Sequence, residues 1–147
     1  IYLCNSESEF IDLMELLYIN NNSANIILQE FIAPSKGKDL RVFVLGGKVI
    51  GVMKRTSQNS FKANFSRGGN VEQFKLTPEI EWLATQATQL VDLEVAGIDL
   101  LFDVNGYKVC EVNSSPGFKG LEKVIGKNIA EQIIDYVAAK TNNSIKT

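Results

Sequence analysis

The segment from Gly97 to Asn113 constrains this chain most, because two apolar-rich runs flank an Asn-Gly pair. That pattern predicts a β-hairpin. Asp99 lies near the start of the first strand, and Glu111 and Asn113 lie at the end of the second. Oxygen-bearing side chains among Val, Ile and Leu conflict with a purely structural strand, and such conflicts are expected at functional sites.

The register of this hairpin decides whether its carboxylates can act together. With a two-residue turn at the Asn-Gly pair, Asp99 and Glu111 would point to opposite faces. A three-residue loop at 104–106, with a left-handed Gly106, places Asp99 directly across from Glu111 and turns Asn113 to the same face. We favour this second register because it gathers the apolar side chains on the opposite face. Those side chains are Ile98, Leu100, Phe102, Cys110 and Val112.

Two carboxylates that face each other across a hairpin repel unless a cation lies between them. Carboxylate and amide oxygens suit Mg²⁺ or Mn²⁺ better than zinc. The alternative is a solvated polar face whose acidic pair binds nothing. Spacing by itself leaves both interpretations open.

Composition narrows the class of protein. The 147 residues are 45% hydrophobic, which is enough for one domain with its own core, and the net charge of -2 gives no electrostatic footprint for nucleic acid. No apolar run approaches membrane-spanning length, so we expect no membrane partner. The absence of His excludes a His general base and His metal ligands. Cys4 and Cys110 are isolated, which favours small buried residues and a reducing, cytoplasmic setting.

The remaining local patterns predict an α+β fold, an antiparallel sheet with flanking helices. A capping box at Ser6 to Glu9 starts a first helix that fades near Asn20. The other expected elements are a strand at 26–32, a hairpin of 39–45 and 48–55 around Gly46-Gly47, a polar loop at 56–70, a helix from Thr77 to about Leu93, a helical turn at 121–125, a helix from Asn128 and a polar tail at 141–147.

Five motifs, in this order and spacing, resemble the C-terminal part of an ATP-grasp ligase, closest to the RimK type. The resemblance covers residues 1–140 and implies the C-terminal lobe of the ATP-grasp fold. The motifs are Gln29-Glu30-Phe31-Ile32, Asp39-Leu40-Arg41, Asn64 to Gly69, Ala96-Gly97-Ile98-Asp99 and Glu111 to Gly117.

The resemblance implies an ATP-dependent carboxylate–amine ligase. Such enzymes convert a carboxylate into an acyl phosphate, which an amine attacks to give an amide or peptide bond, with release of ADP. The implied cofactors are ATP and two Mg²⁺ or Mn²⁺ ions. The implied partners are an amino acid such as glutamate and an acceptor carboxylate on a protein C-terminus or a small molecule; homo-oligomerisation stays open.

The resemblance also implies which residues hold the nucleotide. Glu30 and Phe31 correspond to the segment that contacts adenine, although Phe31 also suits an ordinary buried strand. Asp39 corresponds to a position near the ribose, and its alternative is a turn residue. The stretch that touches the phosphates consists of Lys62, Ala63 and Asn64.

Three arginines correspond to basic positions around the transferred group. Arg41 and Arg55 would face the phosphates and the acyl phosphate, whose charge needs cationic partners. Arg67 would bind the activated carboxylate or the incoming substrate. The alternative for Arg41 is a charge on a sheet edge that discourages pairing, and for Arg55 an exposed surface charge.

The metal ligands implied by the resemblance are the three residues that the hairpin register brings together. Glu111 would bridge two ions, Asp99 would complete one coordination shell, and Asn113 would complete the other.

A complete ligase of this type also carries an N-terminal α/β domain and a lobe with a glycine-rich loop and two nucleotide-binding lysines, and this chain shows none of them. Residues 1–4 look like the strand that follows that loop. We therefore expect the chain to be a fragment that holds the metal and nucleotide half-site with little turnover by itself. The alternative function is a non-catalytic nucleotide-binding module.

Overall fold

The computed structural model describes residues 1–20, 23, 25–57 and 69–144. The chain divides into two compact units, Ile1–Phe31 and Ile32–Thr147.

The first unit is built on helix α1, Glu7–Asn20. Its start is capped in both directions: the Ser6 hydroxyl accepts a hydrogen bond from the Glu9 backbone N–H at 3.2 Å, and the Glu9 carboxylate accepts one from the Asn5 N–H at 2.7 Å. The predicted N-cap hydrogen bond of Ser6 is confirmed, and it satisfies an N–H group that has no partner within the helix. The Glu9 carboxylate accepts from Asn5, one residue before the N-cap, rather than from Ser6 as in a regular capping box.

The strand predicted at 26–32 is wrong, because residues 25–32 form neither a strand nor an α-helix. The Ile27 and Leu28 side chains are 91% and 69% exposed, so burial does not stabilise a strand at these residues. Apolar composition was a poor guide here because strand formation depends on non-local partners.

The second unit contains a five-stranded sheet in the order β3-β2-β1-β4-β5, with every pairing antiparallel. The α+β fold with an antiparallel sheet is confirmed. Its elements are a short 3₁₀ helix Ala33–Ser35, β1 Lys38–Leu45, β2 Lys48–Thr56, β3 Asn70–Gln73, α2 Pro78–Leu90, β4 Val95–Asp103, β5 Gly106–Asn113, α3 Lys119–Ile125 and α4 Ile129–Ser144.

The β1–β2 hairpin turns where the sequence predicts it. Gly46 and Gly47 have φ angles of 56° and 74°, which a two-residue hairpin turn requires and which glycine adopts without a steric cost. Strand β3 was not predicted: its four residues begin at the end of the expected polar loop, and residues 58–68 of that loop lie outside the described residues.

Helix ends follow local capping rules. The Thr77 hydroxyl accepts a hydrogen bond from the Ile80 N–H at 3.3 Å, as the sequence predicts for α2. This helix ends three residues earlier than expected, because Asp92 adopts a left-handed φ of 52° and terminates it. Helix α4 begins after Asn128, whose side chain accepts from the Glu131 N–H, and it extends four residues into the expected polar tail.

Two apolar clusters lie on opposite faces of the sheet. Helix α2 packs over one face, where the core comprises Leu40, Val42, Val44, Val52, Ile80, Ala84, Ala96, Ile98 and Leu100. Helices α3 and α4 contribute Leu121 and Ile129 to a second cluster with Phe43 and Met53. Because side chains alternate along a strand, Asp39 and Arg41 lie on the same face of β1 as Phe43. We call the part of this face that carries Asp39 and Arg41 the polar face.

Among the described residues, no helix is both long enough and apolar enough to cross a membrane.

Candidate active site

The β4–β5 hairpin brings its two carboxylates together as the sequence predicts. Asp99 pairs with Glu111, and Gly97 pairs with Asn113 on the same side. Ile98, Leu100, Phe102 and Val112 belong to or pack against the opposite core cluster under α2. The predicted separation of polar and apolar faces is therefore confirmed for these residues.

The route to that register differs from the prediction. Asp103 pairs with Gly106, so the turn is the two-residue segment Val104-Asn105 rather than a three-residue loop. Gly106 has a positive φ, but its value of 128° lies beyond the usual left-handed helical range.

A β-bulge restores the phase between the turn and the site. Leu100 pairs with Val109 while Asp99 pairs with Glu111, which leaves Cys110 as the extra residue on β5. A bulge adds one residue to one strand and thereby reverses the side to which the following residues point. Glu111 faces Asp99 because of this insertion, and the half-buried Cys110 is not part of the regular apolar face.

Charged side chains of both signs, from four strands, lie together on the polar face. Asp39 on β1 pairs with Arg55 on β2, and Arg41 on β1 pairs with Asp99 on β4. Glu111 on β5 lies opposite Asp99, so two carboxylates are adjacent at this end. The group holds three carboxylates and two guanidinium groups; we call it the charge ladder, and it comprises Asp39, Arg41, Arg55, Asp99 and Glu111.

The ladder is joined by close, charge-assisted hydrogen bonds. Arg41 donates through Nε and Nη2 to the two Asp99 oxygens, both at 2.7 Å. Arg55 donates to both Asp39 oxygens at 2.6 and 2.7 Å, and its Nη2 also donates to Asp99 Oδ2 at 2.8 Å. Arg41 Nη2 lies 3.8 Å from Glu111 Oε1. Paired N–H donors in the fork of an Arg fix both distance and orientation of a carboxylate.

Strand order and burial decide between the alternatives left open for the two arginines. Strand β1 lies between β2 and β4, so Arg41 is not a charge on a sheet edge. Arg55 is 5% exposed and is not a free surface charge. Buried ions persist only where partners compensate for the water they lose, and the ladder supplies those partners.

The electrostatic environment shifts two groups of the ladder. Burial raises the pKa of Asp39, and the negative charge of Asp99 acts in the same direction, against the hydrogen bonds and charge of Arg55. Burial alone would lower the pKa of Arg55, but its hydrogen bonds to Asp39 and the charge of Asp99 outweigh burial and raise that pKa. Arg55 is therefore permanently charged.

The oxygens available for a metal ion lie at the β5 end of the ladder. Glu111 has a side chain that is 57% exposed and accepts a 2.7 Å hydrogen bond from the Asn113 amide. Asp99 accepts three hydrogen bonds from arginines, one on Oδ1 and two on Oδ2. A carboxylate has about four lone-pair positions, so one position on Oδ1 remains for a cation.

Among the described residues, no three His, Cys, Asp or Glu side chains cluster closely enough to hold a metal. The third protein ligand would have to be an amide oxygen such as that of Asn113. Two carboxylates and one amide oxygen form the hard-oxygen set that Mg²⁺ and Mn²⁺ prefer, and the donor chemistry of Asp99, Glu111 and Asn113 fits such an ion.

Gly97 explains how the turn after β5 approaches the site. A Cβ at this position would lie 2.5 Å from Pro116 Cβ and 3.7 Å from Arg41 Cδ. Glycine thus permits the segment that follows Asn113 to pack directly on the sheet beside Arg41.

The remaining predicted site residues belong to the first unit or lie outside the described residues. Glu30 and Phe31 belong to the first unit, where the Phe31 side chain is 42% exposed. The other predicted nucleotide and substrate contacts lie outside the described residues; they are Lys62, Ala63, Asn64 and Arg67. Sequence reasoning also missed that the arginines pair with the predicted acidic residues. The alternation of Asp39 with Arg41 on one strand was the available signal.

Comparison with known proteins adds the family. The chain matches the RimK-like ATP-grasp domain over residues 1–137. It belongs to the RimK-like ATP-grasp family. A probable alpha-L-glutamate ligase of Aeromonas salmonicida is 38% identical over 147 residues, which cover 99% of this chain and 49% of that protein. One from Aliivibrio fischeri is 50% identical, covering 78% of this chain and 38% of that protein. The chain thus spans half or less of the length of these relatives.

Solved structures give the same fold. One is the ATP-grasp ligase PsnB, solved with a minimal precursor, Mg and ADP. The match covers 92% of this chain and 40% of the PsnB chain, at 23% identity and a TM-score of 0.67. Another is D-alanine–D-alanine ligase from Bacillus anthracis, solved with ATP. The match covers 96% of this chain and 48% of the ligase chain, at 17% identity and a TM-score of 0.65. At these identities the likeness concerns the fold alone, which is that of ATP-grasp ligases.

Proposed function

We propose that this chain carries the metal and nucleotide half-site of an ATP-dependent carboxylate–amine ligase that adds glutamate or a similar amino acid. The observation that carries the proposal is the Asp99–Glu111 pair, with Asn113 on the same face and two guanidinium groups beside it. Membership of the RimK-like family and the names of the relatives, probable alpha-L-glutamate ligases, support the reaction class.

Asp99, Glu111 and Asn113 would hold the divalent cations, two Mg²⁺ or Mn²⁺ ions. The cations supply positive charge that neutralises phosphate oxygens during transfer. The protein's contribution is to fix the ligands. The bulge at Cys110 turns Glu111 toward Asp99, and Arg41 holds both Asp99 oxygens in one orientation.

The cationic groups on the acceptor side would be Arg41 and Arg67. The Arg41 side chain is 13% exposed and contacts both Asp99 and Glu111, so it borders the place where a phosphate bound to a cation on those carboxylates would be. A guanidinium group there would stabilise charge on the transferred phosphoryl group and the acyl phosphate. Arg67 would bind the activated carboxylate or the incoming amino acid.

On the nucleotide side, Asp39 would accept hydrogen bonds from the ribose, and Glu30 and Phe31 would contact adenine. Lys62, Ala63 and Asn64 would contact the phosphates. The amine would attack the acyl carbon of the acyl phosphate, forming the C–N bond, releasing phosphate and losing a proton. The acceptor would be a protein C-terminus or a small carboxylic acid.

The first test is metal and nucleotide binding by the chain. We expect Mn²⁺ to bind in the presence of ADP, and we expect Glu111→Gln to weaken that binding at least tenfold because it removes a bridging charge, an effect of order 1.4 kcal/mol. Glu72→Gln on β3 is the matched control, since Glu72 pairs with Lys54 rather than with the ladder. Equal Mn²⁺ affinity in Glu111→Gln and wild type would contradict the metal assignment.

The second test concerns turnover. ADP release by the full-length protein is measured with glutamate, other amino acids and a set of candidate carboxylates. ADP release that depends on both an amine and a carboxylate supports the ligase. Nucleotide binding without ADP release under any combination would favour the non-catalytic nucleotide-binding module.

A further inference from the structure

Arg55 differs from Arg41, the other cation of the ladder, in the two carboxylates that it joins. Its guanidinium group contacts two carboxylates from different strands, Asp39 on β1 and Asp99 on β4. Arg55 is 5% exposed, so a group held this way does not extend toward a ligand above the sheet. Among the described contacts of the polar face, Arg55 is the side chain that joins the proposed ribose residue to the proposed metal residue.

Arg55 donates more hydrogen bonds to Asp39 than to Asp99. Asp39 receives two parallel hydrogen bonds, which fix its carboxylate plane, whereas Asp99 receives one from the same Nη2 that already serves Asp39. Asp99 keeps its orientation through the two hydrogen bonds from Arg41. The loss of Arg55 would therefore leave Asp99 oriented and Asp39 unsupported.

The positive charge of Arg55 disfavours the binding of a cation to Asp99, although its hydrogen bonds support Asp39. Its Nη2 lies 2.8 Å from Asp99 Oδ2, so a cation on the same carboxylate would be close to a permanent positive charge. A divalent and a monovalent ion about 6 Å apart repel enough to change a binding constant about tenfold, even at the dielectric constant of water.

We propose that Arg55 is a positioning residue which holds Asp39 ready for the nucleotide and, as a fixed counter-cation, keeps the affinity of the site for a free divalent ion low until nucleotide phosphates add negative charge. The metal then enters with the nucleotide rather than before it. This inference rests on the proposed function, and it assigns to Arg55 an action through Asp39 and Asp99 in place of direct contact with phosphate.

The test measures Mn²⁺ alone, from the electron paramagnetic resonance signal of the free ion, with the whole chain and no nucleotide. We expect Arg55→Met to bind Mn²⁺ about tenfold more tightly than wild type, because the repelling charge is gone. Arg55→Lys keeps the charge and should bind Mn²⁺ within about twofold of wild type. Lys54→Met is the matched control on the same strand, and it should leave the affinity unchanged.

Nucleotide binding should change differently, because both Arg55 variants should lose affinity for ADP. Metal-free ADP, measured in excess chelator, should bind more weakly to Arg55→Met and to Arg55→Lys, since neither side chain can hold both Asp39 oxygens. A purely structural role for Arg55 would weaken both ligands together. Mn²⁺ affinity that is equal or lower in Arg55→Met would overturn the proposal.

Folding of the variants is followed by circular dichroism with and without Mn²⁺. If Arg55→Met folds poorly, Arg55→Gln, which keeps one amide donor without the charge, replaces it and must show the same tightening. Glu111→Gln should weaken Mn²⁺ binding at least tenfold in every background. Loss of the Arg55 effect while Glu111 still controls Mn²⁺ binding refutes this inference alone, whereas Mn²⁺ binding that is absent in all variants even with ADP refutes the proposed function.

Discussion

Two neighbouring residues of β2 form ion pairs of nearly equal length in opposite environments. Lys54 lies 2.7 Å from Glu72 on β3, and its partner's side chain is 63% exposed. Arg55 lies 2.6 Å from Asp39 on β1, and these two side chains are 6% and 13% exposed. Because successive side chains of a strand point to opposite faces, one pair meets solvent and the other belongs to the charge ladder.

These two pairs show that the length of an ion pair does not determine its contribution to stability or function. Exposed pairs contribute little, since water already solvates both charges and screens their attraction. A buried pair is not a net source of stability either, but the loss of one partner leaves the other charge buried and uncompensated. The two residues also differ in their proposed roles. Lys54 links β2 to β3, whereas Arg55 links Asp39 to Asp99, two proposed ligand-binding residues.

The largest effect is expected from Arg55→Met. It leaves Asp39 without its hydrogen-bond partner and should reduce the free energy of unfolding by about 3–5 kcal/mol. Urea denaturation followed by circular dichroism measures this value.

The double variant Asp39→Leu plus Arg55→Met serves as the control for this loss, because it removes both charges of the pair. We expect it to be more stable than Arg55→Met by about 1–3 kcal/mol. A double variant less stable than the single one would show that the pair is held by packing rather than by compensation of charge.

An intermediate effect is expected from pH. Burial raises the folded-state pKa of Asp39 above its ordinary value of 3.8. The folded state therefore holds this proton more tightly than the unfolded state, and the resulting contribution to stability is fully present below about 3.8 and is lost as pH rises through the folded pKa.

Comparison of wild type with Asp39→Asn isolates that contribution, because Asn cannot ionise. The difference in unfolding free energy, wild type minus variant, should decrease as pH rises above 3.8. Urea melts at a series of pH values give the slope. A difference that increases with pH over the same range would mean that Arg55 outweighs burial and that the Asp39 pKa is lowered.

The smallest effect is expected from Lys54→Met, which removes the exposed pair with Glu72. The change in unfolding free energy should be below about 1 kcal/mol and should shrink further in high salt, where exposed charges are screened. Melts at low and high ionic strength check both points. A loss as large as that of Arg55→Met would remove the distinction between the two faces of β2.

Local sequence signals predicted the elements whose causes are local. The capping residues Ser6 and Thr77, the Gly46-Gly47 turn and the alternation around Asp99 each depend on a few adjacent residues. The facing of Asp99 and Glu111 was predicted correctly, but for a reason that the structure replaces, because a two-residue turn and a bulge at Cys110 give the same phase as the expected loop.

The sequence by itself determined the α+β class, the hairpins, the family resemblance and the residue types of the site. Only the tertiary structure decided that β1 lies in the centre of the sheet, that β3 covers part of β2, and that Arg55 joins Asp39 to Asp99. The physical reason is range: caps and turns are set by backbone preferences within a few residues, whereas strand order and ion pairing depend on partners 16 to 58 positions away in the chain.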